Sequence, residues 1–155
     1  AGGRGRCVLG ASPFLLSKKR TFLPKKDRLS LEETQMVANA FIDRGVSNIR
    51  STGGEPLVRR DIMKLFRALG DRLGYGLEEL TLTTNGTLLA QYAEELYAAG
   101  VRRVNVSLDT LNEDRLLKIT RRGKLTPVLT GLEAAQRAGL KVKLNTVALK
   151  HDNLD

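Results

Sequence analysis

Apolar and polar residues follow two alternating periods along the chain from residue 30 onward. Runs with every second residue apolar predict strands, and runs with apolar residues three or four apart predict helices. Strands are predicted over residues 46–51, 79–83, 102–107 and 141–147. A predicted helix separates each strand from the next. This serial β/α order indicates a parallel sheet with helices outside it.

The predicted helices begin and end at specific sequence signals. Ser30 and Glu33 form a capping box before the first helix. Thr126, followed by Pro127, predicts the start of the last helix. Three helices are predicted to end at a glycine that precedes the next strand: Gly45, Gly100 and Gly139. A closed eight-strand barrel needs about 250 residues, so these 155 residues predict an α/β open sheet, a partial barrel or a fragment, with about four β/α units.

Each predicted strand has one apolar and one polar face, because successive side chains point to opposite sides. The polar face consists of Asn48, Arg50, Thr52, Thr81, Thr83, Asn105, Ser107, Lys143 and Asn145. Helices should cover the apolar face, so the polar face should line an open, wet lumen that holds a polar ligand. The alternative is the solvent-facing side of an antiparallel sheet. Arg50 and Lys143 favour an anionic ligand.

A glycine-rich segment, Thr-Gly-Gly-Glu-Pro-Leu at residues 52–57, follows the first of these strands. Gly53 and Gly54 allow a sharp turn and a close approach of the backbone to a ligand. Pro56 restricts its own φ and the conformation of Glu55, which stiffens the turn. The segment predicts a loop that grips a small polar molecule, with an ordinary strand-to-helix turn as the alternative.

The net charge of +9 is concentrated near the start of the chain. Residues 1–28 contain eight Lys and Arg residues and one Asp, a balance of +7, which leaves +2 for residues 29–155. The charge and the few aromatic residues therefore argue against a nucleic-acid partner. No apolar run reaches the roughly 20 residues of a membrane helix. Cys7 is the only cysteine, which excludes a disulfide framework and fits a reducing compartment.

Six ordered segments together resemble one enzyme family. They are residues 22–24, 29–33, 49–61, 82–86, 104–111 and 142–147. The set is similar to radical S-adenosylmethionine (SAM) enzymes, most closely to the GTP 3′,8-cyclases of molybdenum cofactor biosynthesis. The resemblance implies a lyase that converts GTP to (8S)-3′,8-cyclo-7,8-dihydroguanosine 5′-triphosphate. It also implies a [4Fe–4S] cluster that cleaves SAM to a 5′-deoxyadenosyl radical.

The resemblance further implies roles for individual residues and partners. The implied SAM contacts are Gly53, Gly54, Glu55 and Ser107, and the implied GTP contacts are Arg50, Thr83 and Lys143. The implied pathway partner is cyclic pyranopterin monophosphate synthase, and a homodimer is compatible with the family. We expect a cytoplasmic protein, with an organellar one as the alternative if the basic leader is a transit peptide.

The cysteine pattern departs from this family. The family holds its cluster through Cys-x3-Cys-x2-Cys, whereas this chain supplies only Cys7 as a candidate ligand. We therefore expect residues 1–16 to be an atypical, disordered leader and residues 17–155 to be a truncated core without the C-terminal cluster domain. Such a chain should bind no cluster and be inactive alone. The alternative is a cluster-free nucleotide- or SAM-binding or interaction module derived from the same fold.

Overall fold

The computed structural model describes residues 5–9, 29–120 and 124–147. Five parallel strands form one sheet, and their order in space is their order along the chain. The strands are β1 (Gly5–Leu9), β2 (Val46–Ser51), β3 (Glu79–Thr84), β4 (Arg103–Ser107) and β5 (Lys141–Asn145). The predicted parallel α/β architecture is therefore confirmed.

Five α-helices lie between the strands. They are α1 (Leu31–Ile42), α2 (Ile62–Gly70), α3 (Leu89–Ala98), α4 (Glu113–Thr120) and α5 (Leu125–Arg137). A short 3₁₀ helix at Pro56–Val58 precedes α2. Within the described residues, no helix has the length and apolar character that crossing a bilayer would require.

The predicted helix signals are confirmed at α1 and at the three glycine junctions. The Ser30 hydroxyl accepts from the Glu33 N–H at 3.0 Å, and the Glu33 carboxylate accepts from the Ser30 N–H at 2.7 Å. The junction glycines all have positive φ: Gly45 93°, Gly100 91° and Gly139 86°.

The start predicted for the last helix is wrong. Helix α5 begins at Leu125, after Lys124, so Thr126 lies inside the first turn and is not its N-cap. Pro127 fits this register because the N–H groups of a first helical turn have no helical partner in any case.

The apolar face of the sheet packs against the helices. Ile49, Leu82 and Val106 are at most 1% exposed and belong to one core cluster with Phe66 of α2 and Leu96 of α3. This helix layer fixes which face of the sheet is outside, so the polar face is the opposite one. We call the polar face the inner face.

Strand β1 departs from the sequence-based expectation, which placed residues 1–16 in a disordered leader outside the fold. In the structure, Gly5–Leu9 pairs with β2, and the backbone of Cys7 is in register with Ile49. Short apolar runs such as Cys7–Val8–Leu9 are typical of parallel strands, but the adjacent arginines obscured this one. The sheet accordingly has one strand more than the predicted set of four.

Candidate functional site

Polar residues on the inner face form rows across the sheet, because the parallel strands are aligned in register. The first of three rows contains Arg50, Thr81, Arg103 and Lys141. The next row toward the carboxyl ends of the strands contains Thr83, Asn105 and Lys143, and the last row contains Ser107 and Asn145. Residues paired in register share one face of a sheet, so the rows form one continuous polar surface.

The strand residues with a predicted SAM or GTP contact all lie in these rows, whereas Cys7 on β1 is in register with Ile49 of the apolar face. Thr83 and Lys143 occupy the same row, one on β3 and one on β5. Neighbouring strands are about 4.8 Å apart, so these two positions are separated by roughly 10 Å. Arg50 lies one row nearer the amino ends of the strands, and Ser107 lies one row nearer their carboxyl ends. The spread of the four positions is similar to the size of a nucleotide.

Exposure varies strongly across the inner face. Lys143 is exposed, and Arg50, Thr83 and Ser107 are half-buried. Thr81 and Asn105 are each only 2% exposed, so the prediction of an open lumen fails at the centre of the face. Asn105 was recognised from the sequence as an inner-face residue, but neither its burial nor a role for it was foreseen.

Glu55 anchors the glycine-rich loop after β2 to the loop after β3. One carboxylate oxygen accepts hydrogen bonds from the Leu57 N–H at 3.1 Å and from the Thr84 hydroxyl at 2.8 Å. The other oxygen accepts from the Asn85 N–H at 2.7 Å. The carboxylate therefore fixes the conformation of the loop through both of its oxygens.

Gly53 and Gly54 lie beside this anchor on an open surface. Gly53 has a φ of 151°, which a side chain would disfavour. Within the described ranges, a Cβ added at either glycine would meet no atom within 4 Å. These glycines are thus not needed for close packing inside the protein. They leave the backbone of the loop accessible to a ligand.

The loop after β3 is also held in place by helix α5 and by hydrogen bonds within the loop. A Cβ on Gly131 of α5 would lie 2.4 Å from the carbonyl oxygen of Gly86, so α5 packs directly against this turn. The Thr84 hydroxyl accepts from the Gly86 N–H at 3.1 Å, and the Asn85 side chain accepts from the Thr87 N–H at 2.9 Å. The donors that hold Glu55 are consequently fixed before any ligand binds.

A second carboxylate joins the ends of β4 and β5. Asp109, which follows β4, accepts from the Val147 N–H at 3.0 Å. The Thr146 hydroxyl donates to the Leu108 carbonyl at 2.8 Å. Asp109 and Glu55 thus each tie a strand end to its neighbour. The sequence signal for both is an acidic residue in the loop that follows a strand, for which helix capping and ligand contact are the obvious roles.

The residues present do not fit an iron–sulfur cluster held by this chain alone. Cys7 is the only cysteine in the sequence, whereas [4Fe–4S] clusters are held by several thiolates. Among the residues that the structure describes, no three His, Cys, Asp or Glu side chains are grouped so that they could hold a metal ion.

Comparison with known protein families identifies the class of protein to which this chain belongs. The family model described as the radical SAM superfamily matches residues 7–155. The chain therefore belongs to the radical SAM superfamily. The match begins at residue 7, ten residues before the core predicted over residues 17–155, and it includes most of strand β1.

Curated proteins with a high sequence identity to this chain carry the name of one enzyme within this superfamily. The chain is 57% identical over 140 residues to the GTP 3′,8-cyclase of Rhizobium leguminosarum bv. trifolii (strain WSM2304). It is 58% identical over 142 residues to that of Paracoccus denitrificans (strain Pd 1222). These matches cover 90% and 92% of this chain, but only 40% and 41% of the relatives. The chain thus spans about two fifths of the length of the relatives it matches.

A solved structure supports the fold independently. The chain superimposes on HydG, a maturase of the [FeFe]-hydrogenase, with a TM-score of 0.61 and 18% sequence identity. The superposition covers 78% of this chain and 29% of HydG. At this identity the likeness concerns the fold alone, and it agrees with the predicted partial barrel.

Proposed function

We propose that the protein is a GTP 3′,8-cyclase and that this chain forms its SAM- and GTP-binding core. The proposed reaction converts GTP to (8S)-3′,8-cyclo-7,8-dihydroguanosine 5′-triphosphate. The identity of 57–58% to enzymes of that name over at least 90% of the chain supports the proposal. The observation that carries it is the placement of Arg50, Thr83, Ser107 and Lys143 on one face beside the anchored glycine-rich loop.

The proposed GTP contacts have complementary chemistry. Arg50 and Lys143 carry positive charge and are suited to the triphosphate, with Arg50 able to make two parallel hydrogen bonds. Thr83 offers a hydroxyl that donates or accepts. Because Arg50 is half-buried and Lys143 is exposed, we expect Arg50 to fix the position of the ligand and Lys143 to add attraction that salt can screen.

The proposed SAM contacts are of a different kind. The accessible backbone of Gly53 and Gly54 would hold the methionine amino group, and the Ser107 hydroxyl would make a second contact. The Glu55 carboxylate holds the loop by accepting three hydrogen bonds from the protein, and because Oε2 accepts only one of them it keeps acceptor capacity for the implied SAM contact. The assignments of Gly53 and Gly54 depend on the space beside the loop that the described residues leave open.

We assign no radical step to the residues of this chain. Superfamily members use SAM together with a [4Fe–4S] cluster, and one cysteine does not provide the cluster ligands. Cys7 is the sole thiolate candidate. Reaction with cyclic pyranopterin monophosphate synthase as pathway partner, a homodimer and a cytoplasmic location remain predictions from the resemblance.

The single cysteine also favours a second candidate function, a nucleotide- or SAM-binding module without a cluster. Two measurements distinguish the candidates. Calorimetric titration of the chain with GTP and with SAM tests binding, with ATP as the competing nucleotide. Anaerobic reconstitution with iron and sulfide, followed by absorption spectroscopy, tests the cluster.

The first candidate predicts binding of both SAM and GTP, with GTP binding that ATP does not reproduce, whereas the second requires only that one of the two ligands binds. A chain that binds neither GTP nor SAM would contradict both of them. A stable cubane spectrum on this chain would show that our assignment of its thiolates is wrong. Binding of both ligands without a cluster is the result that we expect.

A further inference from the structure

Asn105 presents a buried hydrogen-bond donor that the described part of the chain does not use. Its side chain is 2% exposed, and its Nδ2 has no hydrogen-bond partner among the described residues. The flanking residues Val104 and Val106 are fully buried on the helix side of β4. Strand alternation therefore places Asn105 on the inner face.

An unpaired amide at such a position needs an explanation. Burial of an amide without an acceptor is unfavourable relative to its hydrated state, and native proteins pair most such groups. Arg103 also has an unpaired buried nitrogen, Nε, but its Nη2 contacts the Glu79 carboxylate at 2.8 Å. Within the part of the chain that the structure describes, Asn105 is thus the more informative of the two.

The row in which Asn105 lies indicates the chemistry of the missing acceptor. Asn105 is in register with Thr83 on one side and Lys143 on the other. An amide, a hydroxyl and an ammonium group are adjacent there, and all three can donate. Such a set suits the oxygen atoms of an anionic ligand.

We propose that Asn105 is a substrate-binding residue that donates its Nδ2–H to an oxygen of the bound nucleotide. The proposal rests on the proposed function, because it takes GTP as the ligand of the inner face. It adds a contact between the two row members already assigned to GTP. It also explains why a polar residue occupies a buried position where valine or leucine would pack without an unpaired donor.

The test is the substitution Asn105→Leu, which removes the donor but keeps a side chain branched at Cγ. The inferred role predicts an uncommon combination of effects on the purified chain. The thermal unfolding midpoint should not fall, because the substitution removes an unsatisfied polar group. The Kd for GTP, measured by calorimetry, should rise by about tenfold to hundredfold, as for loss of a hydrogen bond to a charged group.

The matched control is Asn39→Leu on helix α1. The Asn39 side chain is half-buried and accepts a hydrogen bond from Arg72 Nη1 at 3.1 Å. Removing it should lower the unfolding midpoint and leave the Kd for GTP unchanged. The two asparagine substitutions should therefore affect opposite quantities, stability for Asn39 and affinity for Asn105.

A second variant keeps the test decisive if leucine does not fit. Asn105→Asp preserves the shape of the side chain and replaces the donor with an acceptor, so it should also weaken GTP binding. A Kd unchanged in both variants would overturn the proposal and would indicate that water satisfies Asn105. A midpoint lowered in Asn105→Leu together with an unchanged Kd in Asn105→Asp would overturn it too, because the amide would then be structural. If the unaltered chain binds no GTP, the proposed function fails, and this proposal fails with it.

Discussion

Strands β3 and β5 have the same alternation of apolar and polar residues but very different environments. In β3, Leu82 is fully buried on the helix side and Thr81 is 2% exposed on the inner side. In β5, Leu144 is 52% exposed and Lys143 is exposed as well. Strand β3 lies between β2 and β4, whereas β5 is at the edge of the sheet. Burial is therefore decided by the layers around a strand and not by its own pattern.

This comparison divides the candidate site into two parts. The part on β2, β3 and β4 is held by Glu55, by the turn at Gly86 and by the helix layer, so its geometry precedes the ligand. The part on β5 contributes Lys143 from an exposed strand. We expect substitutions that remove a packing contact or a hydrogen bond within the first part to change stability, and substitutions of the exposed residues of the second part to have little effect on it.

The largest predicted difference is between matched leucines on the two strands. Leu82→Ala should lower the free energy of unfolding by about 2–5 kcal/mol, because it leaves a cavity in the core. Leu144→Ala should lower it by less than about 0.5 kcal/mol, since the side chain is half in solvent already. Urea unfolding followed by circular dichroism measures both. Equal losses would contradict the assignment of β5 as an uncovered edge strand.

Two glycine substitutions separate the packed side of the site from its open side. Gly131→Ala should lower the free energy of unfolding by about 1–3 kcal/mol, because the new Cβ would collide with the Gly86 carbonyl. Gly54→Ala should leave stability nearly unchanged, because its Cβ would meet no atom within 4 Å. Calorimetric titration should instead show weaker SAM binding for Gly54→Ala. Unchanged SAM affinity would exclude close contact of the ligand with this loop.

A third prediction concerns the anchor. Glu55→Gln should lower the free energy of unfolding by about 1–2 kcal/mol, because the amide cannot accept at both ends from the Leu57, Thr84 and Asn85 donors. Glu94→Gln on α3 is the matched control, because Glu94 is exposed; it should change this free energy by less than about 0.5 kcal/mol. Hydrogen exchange of the Asn85 amide should become faster only in Glu55→Gln. Equal exchange in both variants would show that the anchor does not hold this loop.

The smallest predicted effect is on the exposed strand. Lys143→Gln should weaken GTP binding by about threefold to fivefold, because an exposed ion pair contributes roughly 0–1 kcal/mol. The loss should shrink as the salt concentration rises. Lys141 lies one row farther from the carboxyl ends of the strands, so Lys141→Gln should weaken GTP binding less than Lys143→Gln. Neither variant should change the unfolding midpoint. A larger loss of affinity for Lys141→Gln would indicate that the ligand lies nearer the amino ends of the strands.

The fold was largely predictable because alternation and capping act over a few residues. The predicted limits of 46–51 coincide with those of β2. The strand predicted to reach residue 147 ends at Asn145, however, because Thr146 and Val147 bond to Leu108 and Asp109 and leave the ladder. Those partners are 38 residues away, a distance over which local patterns carry no information.

The candidate site was predictable to the level of a face. Alternation correctly grouped Arg50, Thr83, Ser107 and Lys143 on the polar side of the strands. It could not reveal that the Glu55 carboxylate accepts hydrogen bonds from Thr84 and Asn85, because these two residues are about thirty residues away in sequence. The unused donor of Asn105 likewise depends on packing that no local pattern encodes.

The central claim is that the inner face of β3, β4 and β5 is the nucleotide-binding surface. Two-dimensional ¹⁵N NMR of the chain during titration with GTP tests it most directly. We expect saturable shifts at the backbone amides of Thr83 and Lys143 and at the side-chain amide of Asn105, with little change in α1. Shifts confined to the helix layer, or no shifts at all, would contradict it.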